Sequence, residues 1–417
     1  MTPDRVTVVL DDARFGSELE IGTLSRQARK GVEVVRFAYT DAWLASAKGF
    51  AIDPELPLHP GDFFASKERG TFGVFRDTSP DRWGRVLMER REALDARRES
   101  RKPRRLGEWD FPLGVSDATR MGALRLREPD GTRYLDHHVL SAPPAARLRE
   151  LEAMALALDE PHAEDRPEYE SWLRQLLAPG TSLGGGRPKA TFTEADGSLW
   201  IAKFPGREDR HDVGAWEALA HGLAMNASVR VPAAKTLKLG STYRTFAVRR
   251  FDRAGASRRL YASAMTLLVH DDGDSASYPE IAQALQDHGD PATLETDLRE
   301  LYRRVVFNVL VGNRDDHLRN HGFLRGAGGW QLSPAFDLNP NPDKDEHALL
   351  LDGASAVPSV KTVHATCDLY RLTRAAAARI EGEVRRALAD WRSSAGALGI
   401  TRREVQRLES IIAPELE

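Results

Sequence analysis

The chain has a single cysteine, Cys367, in 417 residues, so no intrachain disulfide can staple it and its stability must come from apolar packing. It has no apolar run near the roughly 18 residues needed to span a bilayer. Its N-terminus, MTPDRVTVVLDD, carries acids where a secretion signal needs an apolar stretch. Neither sign of charge dominates: 59 Lys and Arg stand against 62 Asp and Glu, a net charge of -3, which excludes a polycation built to coat nucleic acid. There is no Gly-Lys dipeptide, and with it no Walker A loop; the twelve histidines form no HExxH pair. No internal repeat or low-complexity tract occurs. What is left is an ordinary globular composition, 41% hydrophobic and 29% charged, in a chain long enough for two or three domains. A cytoplasmic protein with no membrane partner is expected.

Four regions follow from the patterning. Residues 1–126 read as a β-rich unit, with strands in VTVVL, VEVVRFAYT and GALRL. One helix interrupts it; Ser79-Pro80-Asp81 predicts its start, with Ser79 as cap and Pro80 in the first helical position. The basic run Arg97 to Arg105 closes that helix as a solvated end, or alternatively meets nucleic acid. Residues 127–175 form a helical connector. Residues 176–290 begin with a Gly-rich loop and a hairpin around Asp196-Gly197, followed by a helix in GAWEALAHGLAMN. Residues 291–417 are mainly helical. Leu298, Leu301, Val305 and Val309 recur at helical spacing, Leu369 to Trp391 reads as one long amphipathic helix, and Thr401 to Glu404 has the form of a capping box.

The chemistry concentrates at Asn313-Arg314-Asp315-Asp316-His317-Leu318-Arg319-Asn320, directly after the apolar helix. Protein kinases place an Asp and an Asn at this spacing: the Asp takes the proton of the attacking hydroxyl and the Asn reaches a magnesium ion. Asp315 is chosen over Asp316 for its distance from Asn320, and His317 is read as support for the loop. Asp337, in Phe336-Asp337-Leu338, lies where kinases carry their principal magnesium ligand. Upstream, Lys203 ends a strand from which its charge can meet phosphate, and Glu217 in the next helix is the candidate for its ion pair. Gly184, Gly185 and Gly186 let backbone N–H groups converge on phosphate oxygens.

Taken together, SLGGGRPK (182–189), NRDDHLRN (313–320) and FDL (336–338) resemble the HipA family of bacterial toxin–antitoxin kinases. RRFDR (249–253) is similar to a family segment beside the nucleotide's adenine and ribose, with Phe251 and Asp252 matching; DTSPDRWGR (77–85) and MGALRL (121–126) are further landmarks. The resemblance implies an α+β, bilobal, protein-kinase-like fold with a β-rich N-terminal subdomain and a mainly helical C-terminal lobe. It implies ATP and Mg2+ as cosubstrates, Lys203 on phosphates, Asp315 as base, Asn320 and Asp337 on metal, and Ser182 as a self-inhibitory autophosphorylation site. It also implies a HipB-like helix-turn-helix antitoxin, operator DNA met mainly through that antitoxin, and an aminoacyl-tRNA synthetase as protein substrate. Two alternatives stay open: a small-molecule kinase on the same scaffold, and a catalytically silent corepressor or binding module.

Overall fold

The β-branched residues near the N-terminus pair into an antiparallel sheet. In the computed structural model its strands are β1 (Arg5–Asp12), β2 (Gly16–Arg29), β3 (Val32–Tyr39), β4 (Phe63–Phe64) and β5 (Leu124–Arg127), in the order β4-β3-β2-β1-β5. Val6, Val8, Leu10, Leu24, Phe37, Leu124 and Leu126 from these strands are buried. The structure describes residues 3–29, 32–129, 131–135, 142–177 and 185–412. The chain divides into two units. One comprises Met1–Arg207, Leu239–Ser241 and Asp252–Ala262; the other comprises Glu208–Lys238, Thr242–Phe251 and Ser263–Glu417. No helix among the described residues is long and apolar enough to cross a membrane.

In the first unit, helix α1 spans Arg82–Arg98 and its cap lies two residues later than expected. Asp81 is the N-cap, its carboxylate accepting a 2.8 Å bond from Gly84 N, while Ser79 turns back to donate to Phe75 O. A carboxylate both accepts that bond and favours the positive end of the helix dipole, which a hydroxyl cannot match. Helices α2 (Leu148–Leu158) and α3 (Tyr169–Leu177) pack together, and α3 also lies on α1, where Arg98 pairs with Glu170. The basic run is engaged within the chain: Arg101 bonds Glu92 and Glu99, and Arg104 lies 3.6 Å from both Glu92 and Asp110. Strands β6 (Lys189–Thr193) and β7 (Leu199–Lys203) form the expected hairpin, with Gly197 at φ +80° in its turn and Lys189 opposite Lys203.

In the second unit, α4 (Val213–Asn226) precedes the pair β8 (Ala234–Leu237) and β9 (Thr245–Arg249). Helices α5 (Tyr278–His288) and α6 (Leu294–Val311) lead to the hairpin β10 (Gly322–Arg325) and β11 (Trp330–Leu332). The C-terminal helices are α7 (Arg374–Leu388), α8 (Trp391–Ala397) and α9 (Arg402–Glu409). Helix α6 is the central member, packed on α5 and α7. Beyond the expected stripe it also buries Tyr302, Val306, Phe307 and Leu310. The long helix expected over Leu369 to Trp391 is broken. A 3-10 turn ends at Arg371, which adopts φ +55°, and Thr373 then caps α7 by accepting from Ala376 N. The capping box at Thr401 and Glu404 is present at the start of α9.

Candidate active site

The last turn of α6 delivers the chain into the 313–320 loop through Gly312, whose φ of +71° ends the helix. A Cβ there would sit 2.8 Å from Ile411 Cβ, so glycine answers both the backbone sign and the space. Asn313 N returns to Asn308 O, and Asn341 N donates to Gly312 O, fixing the loop's entry from two sides.

Of the two adjacent carboxylates that follow, one is buried and one faces solvent. Asp316 is 2% exposed and its Oδ2 receives Tyr278 Oη at 2.7 Å and Asn308 Nδ2 at 2.9 Å, with His321 Nε2 also at 2.7 Å. Burial alone would raise this carboxyl, but His321, then Tyr278, hold it below its ordinary value. Asp315 points the other way, its side chain 57% exposed, and pairs with Lys344 from the loop after Asp337. That loop is tied down on both flanks: Arg314 donates to Lys344 O, Ala348 N donates to Arg314 O, and Arg407 holds Asp343.

Asn320 ends a 3-10 turn (Leu318–Asn320) and is buried, with its Oδ1 lacking a hydrogen-bond partner among the described residues. Asp337 adopts φ +58°, an unusual conformation for a residue with a side chain and one that marks functional loops more often than scaffolds. Asn339 Nδ2 reaches its carboxylate at 3.4 Å, and Asn339 Oδ1 is likewise buried without a partner. The strand entering this turn is gripped by α6. Arg304, 2% exposed and paired with Glu300 at 2.9 Å, donates to Ser333 O at 2.6 Å; Asp297 accepts from Leu332 N; and Ala335 N bonds Arg230 O. Among the described residues no group of three or more His, Cys, Asp or Glu could hold a metal. The donors here are instead one carboxylate and amide oxygens with unused lone pairs. Such a hard-oxygen set fits Mg2+, which completes its shell with phosphate and water.

The remaining candidates lie as follows. Lys203 is half-buried at the end of β7, and Glu217 is buried in α4. Gly185 and Gly186 are exposed, and no atom would crowd a Cβ on Gly185, whereas Ser182 and Gly184 lie outside the described residues. Phe251 stacks on Phe336 with ring centroids 5.4 Å apart. Asp252 is fully buried, accepts from Gly122 N at 2.8 Å and pairs with Arg253, so its carboxylate braces the 121–126 segment. Sequence reasoning missed Tyr278, Asn308 and His321, which hold Asp316, and Lys344, which meets Asp315. It named His317 as the loop's support; the imidazole bonded to the loop carboxylate is that of His321, and the His317 carbonyl accepts from Asn320 N within the loop.

The family profile for the HipA-like C-terminal domain matches residues 181–392, just over half of the chain. The chain belongs to the HipA family. A second profile, that of the HipA N-terminal domain, matches residues 15–107. The HipA fold extends over nearly all of it. The structure of HipA from Shewanella oneidensis MR-1, solved with HipB and its operator DNA, superposes with a TM-score of 0.67 at 18% identity, over 97% of this chain and 94% of that one. The Helicobacter pylori proinflammatory kinase CtkA gives a TM-score of 0.34 at 15% identity, over 52% of this chain and 94% of that one. No curated protein sequence matches the chain. The α+β, kinase-like architecture expected from sequence, β-rich first and mainly helical later, is thus the HipA one.

Proposed function

We propose that this HipA-family chain is an ATP-dependent serine/threonine protein kinase that acts as the toxin of a toxin–antitoxin pair. The observation that carries the reading is the division of labour between Asp315 and Asp316. The buried carboxylate is saturated with donors, and the solvent-facing one, five residues before Asn320, is where a protein hydroxyl can reach it.

In this reading Asp315 accepts the proton of a Ser or Thr hydroxyl as its oxygen attacks the γ-phosphorus. The bond to the β–γ bridging oxygen breaks and ADP leaves. The Gly185 and Gly186 backbone and the Lys203 ammonium hold the phosphates, and Phe251 lies on the side of the base. Asn320 and Asp337 would hold Mg2+, which supplies charge neutralisation for the triphosphate when bound. Catalysis is then mostly positioning, which the rigid support of Asp316, Arg304 and Gly312 provides. A phosphate on Ser182 would set two negative charges beside the loop meant for ATP phosphates and so switch the enzyme off. The HipB-like antitoxin, operator DNA bound through it, and an aminoacyl-tRNA synthetase as phosphate acceptor complete the proposal. The Shewanella HipA complex supports the first two as a class of partner.

The test is intact-mass analysis after incubation with ATP and Mg2+. Wild type should gain a phosphate-sized mass at Ser182, and Asp315→Asn and Asp337→Asn should gain none. Equal phosphorylation of all three chains would overturn the assignment.

A further inference from the structure

Lys189 ends the Gly-rich segment and begins β6, and it does not behave as lysines usually do. A strand-end lysine normally sends its ammonium to water along an apolar stem. Here the Lys189 side chain is 2% exposed and its Nζ lies 2.6 Å from Asp81 Oδ2, whose side chain is 5% exposed. The same Nζ donates to Gly185 O at 3.0 Å, closing the end of the loop on itself. The other Asp81 oxygen caps α1 through Gly84 N, and the next residue, Arg82, runs its Cδ to within 3.6 Å of a Cβ built on Gly186. The first turn of α1 and the end of the Gly-rich loop are therefore one packed unit, although about a hundred residues of chain separate them.

Burial pushes the Asp81 carboxyl up to about 6 even with an ammonium beside it. An ion pair whose desolvation is that costly is poor stability material, and its use is to fix a position. Register supplies a second reason for it. Lys189 and Lys203 are directly opposed across the hairpin, so their side chains leave the same face about 5 Å apart and would repel. Asp81 absorbs the Lys189 charge and so relieves that repulsion across the hairpin.

We propose that Asp81 is a positioning residue for ATP: acting through Lys189 and Gly185, it holds the Gly185–Lys189 end of the Gly-rich segment in place and so makes the N-terminal HipA domain part of the phosphate-binding apparatus. The inference rests on the nucleotide reading above and adds to it a residue from outside the kinase-type motifs.

The test is Asp81→Asn. Asn is as good an N-cap as Asp, so the helix start survives, but with Oδ1 capping Gly84 the amide NH2 faces Lys189 and the loop loses its anchor. Calorimetric titration with Mg·ATP should show a Kd raised roughly tenfold, and half-saturation of self-phosphorylation should shift by the same factor while its limiting rate stays within about twofold. Where Asp81→Asn melts, the double variant Asp81→Asn with Lys189→Met removes the buried charge. It should fold and still bind Mg·ATP weakly, since the tether to Gly185 is gone. Wild-type affinity in a folded variant of either kind overturns the proposal and leaves the kinase reading standing. A wild-type chain with no affinity for Mg·ATP overturns both.

Discussion

Two neighbouring aspartates should give opposite phenotypes when each is replaced by alanine. Asp316 is buried and receives Tyr278, Asn308 and His321, so its removal leaves three polar groups facing a cavity. Taking one partner from a buried charged network costs about 3–5 kcal/mol. For a unit of roughly 200 residues, at about 2–4 °C per kcal/mol, a loss near 4 kcal/mol lowers Tm by ~8–16 °C. Asp315 pairs with Lys344 at the surface, with both side chains close to half exposed. Such a pair contributes about 0–1 kcal/mol, so Asp315→Ala should melt within roughly 4 °C of wild type. The kinetic result should be the reverse: Asp315→Ala abolishes self-phosphorylation in a fully folded chain. Calorimetric melting with intact-mass analysis on the same samples reads both quantities. Acid adds a signature. The folded Asp316 carboxyl titrates below its ordinary value of 3.8, so its contribution is complete above that value and is lost as pH falls through the lower folded one. The stability gap between wild type and Asp316→Ala should therefore close in strongly acid solution. A destabilised Asp315→Ala beside a native-like Asp316→Ala would refute the assignment of the two roles.

The other expectations concern the support of the site. His347 is buried, and burial pushes it down to about 4. The unfolded chain takes up this proton below about 6.5 and the folded chain does not, so roughly 3 kcal/mol is lost as pH falls from 6.5 to 4; urea titrations across that window should show a smaller loss in His347→Gln. Gly312→Ala should cost about 2 kcal/mol by denaturant unfolding, from its positive φ and the close approach of Ile411. Arg304→Met strands Glu300 and frees Ser333 O, and should cost about 3–5 kcal/mol and weaken Mg·ATP binding in calorimetry.

The elements that could be read in advance were those written in short-range code. The alternating valines of β1, the Asp-Gly turn of the hairpin and the Thr401 capping box each depend on neighbours within a few positions. So does the spacing from Asp315 to Asn320. The errors came where local signals compete. Ser79 and Asp81 are both fair caps, and the choice was settled by what each side chain meets, Phe75 O for one and Gly84 N with Lys189 for the other. The break before α7 rests on Arg371 taking a left-handed conformation, which its residue type does not announce. Tyr278, 38 residues before Asp316, and Lys344, 29 after Asp315, were invisible because nothing in their own surroundings marks them. The loop's chemistry is local, whereas its support is assembled by tertiary structure.

The discontinuity of the first unit has a consequence for how the chain is made. Asp12 waits for Leu260 N, and Gly122 N waits for Asp252, partners 248 and 130 positions away. The unit's first stretch ends at Arg207, but its last segment is complete only at Ala262. At roughly 5–20 residues per second, a ribosome needs about 3–11 s to cross that interval. During it the N-terminal sheet is synthesised but lacks its closing segment, so that Asp12 has only Arg14 as partner and the Gly122 N–H has no carboxylate to meet. The N-terminal domain cannot mature ahead of the rest: its completion is timed by the segment that, in the same few residues, carries the RRFDR motif.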